Sequence, residues 1–208
     1  MKSKQIRQTE KVETFIKKDD VLIKKLEAIF KQGYLPCREY QTYYFSYATK
    51  TPKKKNQMAS DIINCFGHAF FNLTNEKLQE NSISETDTKP IWHFGEKYGV
   101  YLIDEILDFV RATGLTVNEC EAHDKMKDNE WKVAFYTDIN CNGKDYHFLR
   151  QERDGSWTAK NGETAKVEIL HGDPPRRLGN RYILYGFYRV GNPNALKTKQ
   201  PKNAGRQK

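Results

Sequence analysis

DYHFLRQERDGSWTAKNG, from Asp145 to Gly162, is the stretch on which the fold turns. Tyr146, Phe148 and Arg150 alternate with Asp145, His147 and Leu149, the two-residue period of a β-strand. Asp154-Gly155 is a hairpin-turn dipeptide, and Ser156-Trp157-Thr158 resumes as a second strand. His147 is thereby placed mid-strand, with Asn161 at the far end of the strand that follows. That arrangement can orient an imidazole for general-base work.

Further strands flank the hairpin. Trp131 to Ile139 reads as a strand that Asn142-Gly143 turns into it, and Leu115 to Cys120 as a short strand before that. Val167 to Leu170 and Tyr182 to Val190 follow, punctuated by Asp173-Pro174-Pro175 and Gly179-Asn180. His123 to Glu130 is a charged turn.

The first half of the chain has the helical period. Val12 to Gln32 carries Leu22, Ile23, Leu26, Ile29 and Phe30 on one side, with Asp20 as an internal cap and Gly33 as the stop. Ser60 to Leu73 holds a second helix, capped by Ser60 or by Asn64, with Phe66, Ala69, Phe70 and Leu73 on its buried face. Glu96 to Thr113 repeats the pattern through Val100, Ile103, Ile106, Leu107 and Val110, and Gly114 ends it. Tyr43 to Tyr47 is strand-like. Thr74 to Phe94 is polar and reads as mostly irregular, a wall or lid over a groove. Helices first and an antiparallel sheet second define an α+β fold, the N-terminal helices packed on the C-terminal sheet. The chain divides into an N-terminal helical region with a basic loop (1–56), an α+β core (57–191) and a disordered basic tail (192–208).

The net charge of +8 suggests nucleic acid, but its distribution argues against a basic folded face. Lys50, Lys53, Lys54 and Lys55 sit in one loop; Lys197, Lys199, Lys202, Arg206 and Lys208 sit in the tail. Without these two clusters the remaining charge is about −1. The tail offers at most a weak electrostatic contact with nucleic acid or an acidic partner. The start of the chain has no apolar signal region, and no stretch is long enough to span a membrane, so no membrane partner is expected. Cys37, Cys65, Cys120 and Cys141 read as thiols of a reducing compartment, the cytoplasm, or of a particle if the chain is phage-encoded. Cys120, His123, Cys141 and His147 make only a weak zinc pattern, because no Cys-x-x-Cys pair accompanies them. No metal and no cofactor are expected.

A thiol attacks as thiolate, and a helix N-terminus favours that anion. An imidazole can take the thiol proton, and a third polar group can hold the ring in place. Cys65 near a helix start, His147 on a strand and Asn161 beyond it supply these three parts in that order. Asn64 and Gln57 are the nearby amides for the oxyanion. The order resembles that of papain-like cysteine peptidases, and Trp157-Thr158-Ala159-Lys160-Asn161-Gly162 is similar to the Trp-x-x-Lys-Asn run of their Asn strand.

A closer resemblance is to a bacterial group of papain- or NlpC-like proteins. They carry Asn-Cys-aromatic-x-x-Ala, Asp-Tyr-His-aromatic-x-Arg-Gln and Asp-Gly-x-Trp-Ser-His-Lys-x-Gly-x-Thr. The counterparts are Asn64-Cys65-Phe66-Gly67-His68-Ala69, Asp145 to Gln151, and Asp154 to Thr164. The resemblance covers about residues 60–190 and departs at Ala159, where that group has His. It implies a papain-like fold and a thiol hydrolase, a cysteine peptidase or amidase acting on a peptide or protein through an acyl-enzyme. The catalytic residues would be Cys65, His147 and Asn161. With Ala159 in place of His, the alternative is a catalytically inactive papain-like binding or structural module of a larger assembly. A nucleic-acid-associated protein acting through the tail is the third reading.

Overall fold

The computed structural model describes residues 21–36, 64–83, 102–138, 145–160, 167–170 and 172–195. Over them the alternation of 145–160 becomes part of a seven-stranded antiparallel sheet. Its strands are β1 (Thr116–Cys120), β2 (Glu130–Asp138), β3 (Tyr146–Gln151), β4 (Trp157–Lys160), β5 (Val167–Leu170), β6 (Arg177–Leu178) and β7 (Tyr182–Gly191). They lie in the order β1-β7-β2-β3-β4-β5, and β6 pairs with the start of β7. The helices are α1 over 21–31, α2 (Cys65–Phe70), α3 (Asn75–Glu80) and α4 (Leu102–Ala112). The fold is α+β.

Strand pairing divides each strand between two faces. Tyr146 and Phe148 of β3 join the main core with Leu26 and Phe30 of α1, Phe66 and Phe70 of α2, and Ile106 and Val110 of α4. An aromatic seam runs through it: the Phe66 ring lies 5.1 Å from Phe70, 5.4 Å from Phe71 and 6.0 Å from both Phe109 and Phe148. Leu149 points the other way, into a smaller cluster with Ala134, Tyr136, Trp157 and Ala159. Partly buried Leu170, Leu178, Tyr182 and Leu184 pack on that second cluster. The loop before β6 reaches the same side, where the Tyr136 hydroxyl donates to the Pro175 carbonyl at 2.8 Å.

Several expectations meet the structure directly. Gly33 and Gly114 stand just past α1 and α4 with φ of +83° and +86°, the left-handed region that stops a helix. The β3–β4 hairpin pairs Leu149 with Ala159 and Gln151 with Trp157. Other segments differ from the sequence reading. Within the stretch read as irregular, Thr74 Oγ1 accepts from the Lys77 N–H at 3.1 Å and starts α3. A single buried apolar residue, Leu78, is too little to produce a visible period. Asn192, expected to open the tail, is fully buried. Its Nδ2 donates to the Phe30 and Tyr34 carbonyls at 2.9 and 2.8 Å, tying the end of β7 to the end of α1. Residues before 21, Tyr43 to Tyr47, the lysine loop and the Asn142-Gly143 turn lie outside the described residues. Among the described residues, no helix is long and apolar enough to cross a membrane.

Candidate functional site

Asn64 holds an extended backbone, and its Oδ1 accepts from the Gly67 N–H at 3.1 Å. This cap starts α2 at Cys65, the second of the two starts allowed by the sequence. A thiol at the first helical position meets unpaired N–H groups that favour the anion. Burial outweighs them. Cys65 belongs to the helix-side core, and desolvation pushes its pKa up to about 12. The backbone N–H groups of Phe148 and Phe66 and the charge of Lys160 pull downward, while Asp145 adds to the rise. The phenol of Tyr146 is likewise pushed well up by burial, with the Asn64 side chain acting against that. At neutral pH Cys65 is a thiol.

His147 follows the alternation to the other face. Its ring lies 5.7 Å from that of Tyr182 and lines a cavity of about 370 Å³ with Leu149, Ala159, Glu168 and Leu170. It is 8% exposed, and burial pushes the imidazole down to about 4 against the opposing pull of Asp145 and Glu168. Cys65 packs in the helix-side core with its sulfur against the backbone N–H of Phe148, whereas the imidazole of His147 lines the cavity. Asp145, the residue before β3, accepts from the Tyr182 hydroxyl at 2.9 Å and is bridged by Arg181. Arg181 also pairs with Asp138 at 2.5 Å.

Beneath α2 lies a polar network that the sequence reading did not identify. Arg150 grips Glu152 through Nε and Nη2 at 3.1 and 2.9 Å and donates to the His68 carbonyl at 3.2 Å. The Thr158 hydroxyl donates to Glu152 Oε1 at 2.7 Å and lies 3.1 Å from His68 Nε2. With its one proton given to Glu152, Thr158 accepts from His68, so Nε2 carries the ring proton. Burial and the neighbouring Arg150 hold His68 low, and the ring is neutral. A signal for this network does exist in the sequence. Arg150 shares the face of Tyr146 and Phe148, and a charge on an apolar face calls for a buried partner.

Asn161 and Gln57, the expected orienting and oxyanion residues, lie outside the described residues, as do Cys37 and Cys141. Ala159 shares the cavity with His147, so a histidine there would stand beside that ring. Cys120 and His147 sit on β1 and β3, which β7 and β2 separate. Comparison with protein-family models, with curated proteins and with solved structures finds no match.

Proposed function

We propose that the chain is a papain-like module that binds rather than cuts, with its recognition surface around His147. The observation that carries this is the alternation along β3. It sends Phe148 to the helix that carries the thiol and His147 to the opposite face. A thiol with a pKa near 12 and an imidazole near 4 hold their proton on sulfur at neutral pH, which leaves no resting ion pair. Ala159 supports the same reading, because it contributes only a methyl group where the similar bacterial group carries His.

One observation favours the rival reading, a thiol hydrolase working through an acyl-enzyme. Asn64 caps α2 so that Cys65 occupies the first helical position, where backbone N–H groups pull toward thiolate. In that reading Cys65 attacks a peptide or amide carbonyl, His147 carries the proton, Asn161 orients the ring, and Asn64 and Gln57 serve the oxyanion. Iodoacetamide labelling of the native protein at mildly acidic pH separates the two. The binding module labels Cys65 more slowly than half-buried Cys120, and at a rate that His147→Ala leaves unchanged. Fast labelling of Cys65 that disappears in His147→Ala establishes the hydrolase instead.

A further inference from the structure

We propose that the cavity at His147 takes an uncharged phenol, a hydroxyl on a compact apolar ring. This deepens the binding-module reading and rests on it in treating His147 as a recognition residue.

His147 is the polar group that the fold leaves unspent there. Its side chain is 8% exposed, and neither ring nitrogen makes a hydrogen bond among the described residues. In the same set Asn129 Oδ1 is the one fully enclosed side-chain polar atom without a partner, so the unbonded nitrogens of His147 open onto the cavity. A polar group held this way can orient what enters an otherwise apolar space. The charges nearby are already taken. Asp145 accepts from the Tyr182 hydroxyl at 2.9 Å and from the Tyr146 N–H at 2.8 Å, and Arg181 bridges it. The same guanidinium covers the Tyr182 ring, 5.1 Å from its centre, and Glu168 has an interaction of its own. A cationic ligand therefore meets no unspent carboxylate among the described residues of the cavity. An anionic one meets an imidazole that burial keeps neutral at ordinary pH.

The rest of the wall is apolar, formed by Leu149, Ala159, Leu170 and Leu178. An apolar body gains by leaving water against such side chains. The volume of about 370 Å³ is larger than a serine-sized alcohol would fill, and it lies within the range of roughly 300–1,000 Å³ typical of small-ligand sites. A neutral imidazole has one N–H donor and one acceptor nitrogen, and a hydroxyl can answer either of them in either tautomer. A phenol joins that hydroxyl to an apolar ring.

The same group is presented by a free phenol and by a tyrosine side chain of a polypeptide. Calorimetric titration of the full chain at neutral pH tests the proposal and distinguishes these sources. The probes are p-cresol, toluene as the ring without the hydroxyl, p-toluate and p-methylbenzylamine as charged counterparts, and N-acetyl-tyrosine methylamide as the peptide form. Saturable binding of p-cresol about three- to tenfold tighter than toluene is expected from one neutral hydrogen bond. Both charged probes should bind more weakly than p-cresol. His147→Phe keeps a ring and removes its nitrogens, so it should bind p-cresol and toluene alike. A second measurement needs no variant: in the magnetic resonance spectrum of the native chain, p-cresol should move the ring-nitrogen signals of one histidine more than toluene does. Tighter binding of the tyrosine derivative assigns the site to a polypeptide, and tighter binding of p-cresol to a free phenol. Equal affinity for p-cresol and toluene overturns the proposal, as does tighter binding of a charged probe, a preference that survives in His147→Phe, histidine signals that respond alike to both probes, or the lack of saturable binding. Cys65→Ala is titrated in parallel. Should labelling reveal an activated Cys65, the binding-module reading fails, while the phenol preference is still read in this variant. Slow labelling with no phenol preference overturns the present inference alone.

Discussion

Arg150 and Glu152, with Gln151 between them at the end of β3, form an ion pair whose side chains are 1% and 3% exposed. Geometry explains why it is tolerated. Glu152 takes three guanidinium hydrogen bonds and the Thr158 hydroxyl, and Arg150 spends a further N–H on the His68 carbonyl. With the Asn72 amide turned so that its oxygen faces the guanidinium, Asn72 accepts from Arg150 Nη1 and Nη2 at 3.1 Å. The pair joins the end of β3 to the helix that carries Cys65.

Removing one partner leaves the other charged and buried, so Glu152→Ala should lower the unfolding free energy by about 3–5 kcal/mol. Urea denaturation reads this directly. The double replacement Arg150→Met with Glu152→Leu should recover much of the loss, because an apolar pair avoids desolvation. A cost below about 1 kcal/mol for the single variant would show that the charge reaches water.

Asn64 should act as a cap before it acts in any chemistry. Asn64→Ala is expected to cost about 1 kcal/mol through loss of the Gly67 hydrogen bond, and Asn64→Asp much less. Thermal melts of the two variants check the order. Equal losses from Ala and Asp would mean that the amide nitrogen matters more than the capping oxygen.

Acid should destabilise the fold through His147. The unfolded chain takes up this proton near its ordinary value of 6.5, and the folded chain resists until about 4. The contribution is thus complete above pH 6.5 and is lost as the pH falls toward 4, by roughly 3 kcal/mol. His68 is lowered in the same direction. His147→Gln should flatten the profile between those values when stability is followed by chemical denaturation. An unchanged slope would place the imidazole in water.

Gly191 is required by the close approach of β1 and β2 to β7. A methyl group there would sit 2.9 Å from Thr116 Oγ1 and 3.2 Å from Glu130 Cγ. Gly191→Ala should cost about 1–3 kcal/mol by overpacking. Adding Thr116→Ala should restore part of it, since the nearest obstructing atom is then gone. A double variant no better than the single would locate the strain in the backbone.

Much of the sheet was legible because its signals are local. The alternation of 145–151, the Asp154-Gly155 turn and the β-rich run at 182–190 each act within a few residues. The cap at Asn64 and the stop at Gly114 are local in the same way. β6 and α3 were not legible. β6 is two residues long and exists through its pairing with β7, and among the described side chains of α3 Leu78 is the only buried one.

The sequence by itself determined that an amphipathic set of helices would meet an antiparallel sheet, that a cysteine would lie at or near a helix start, and that His147 would lie on a strand. Only the tertiary structure decided which side of that strand each neighbour faces. The alternation of β3 offers two phases, and which one meets the helices depends on packing against Phe66, Phe70 and Phe135, residues distant in the chain. That packing turned Phe148 and Arg150 toward α2 and His147 toward Tyr182. Strand periodicity is written in adjacent residues, whereas the direction of the core is a property of contacts between segments that meet only once the chain has folded.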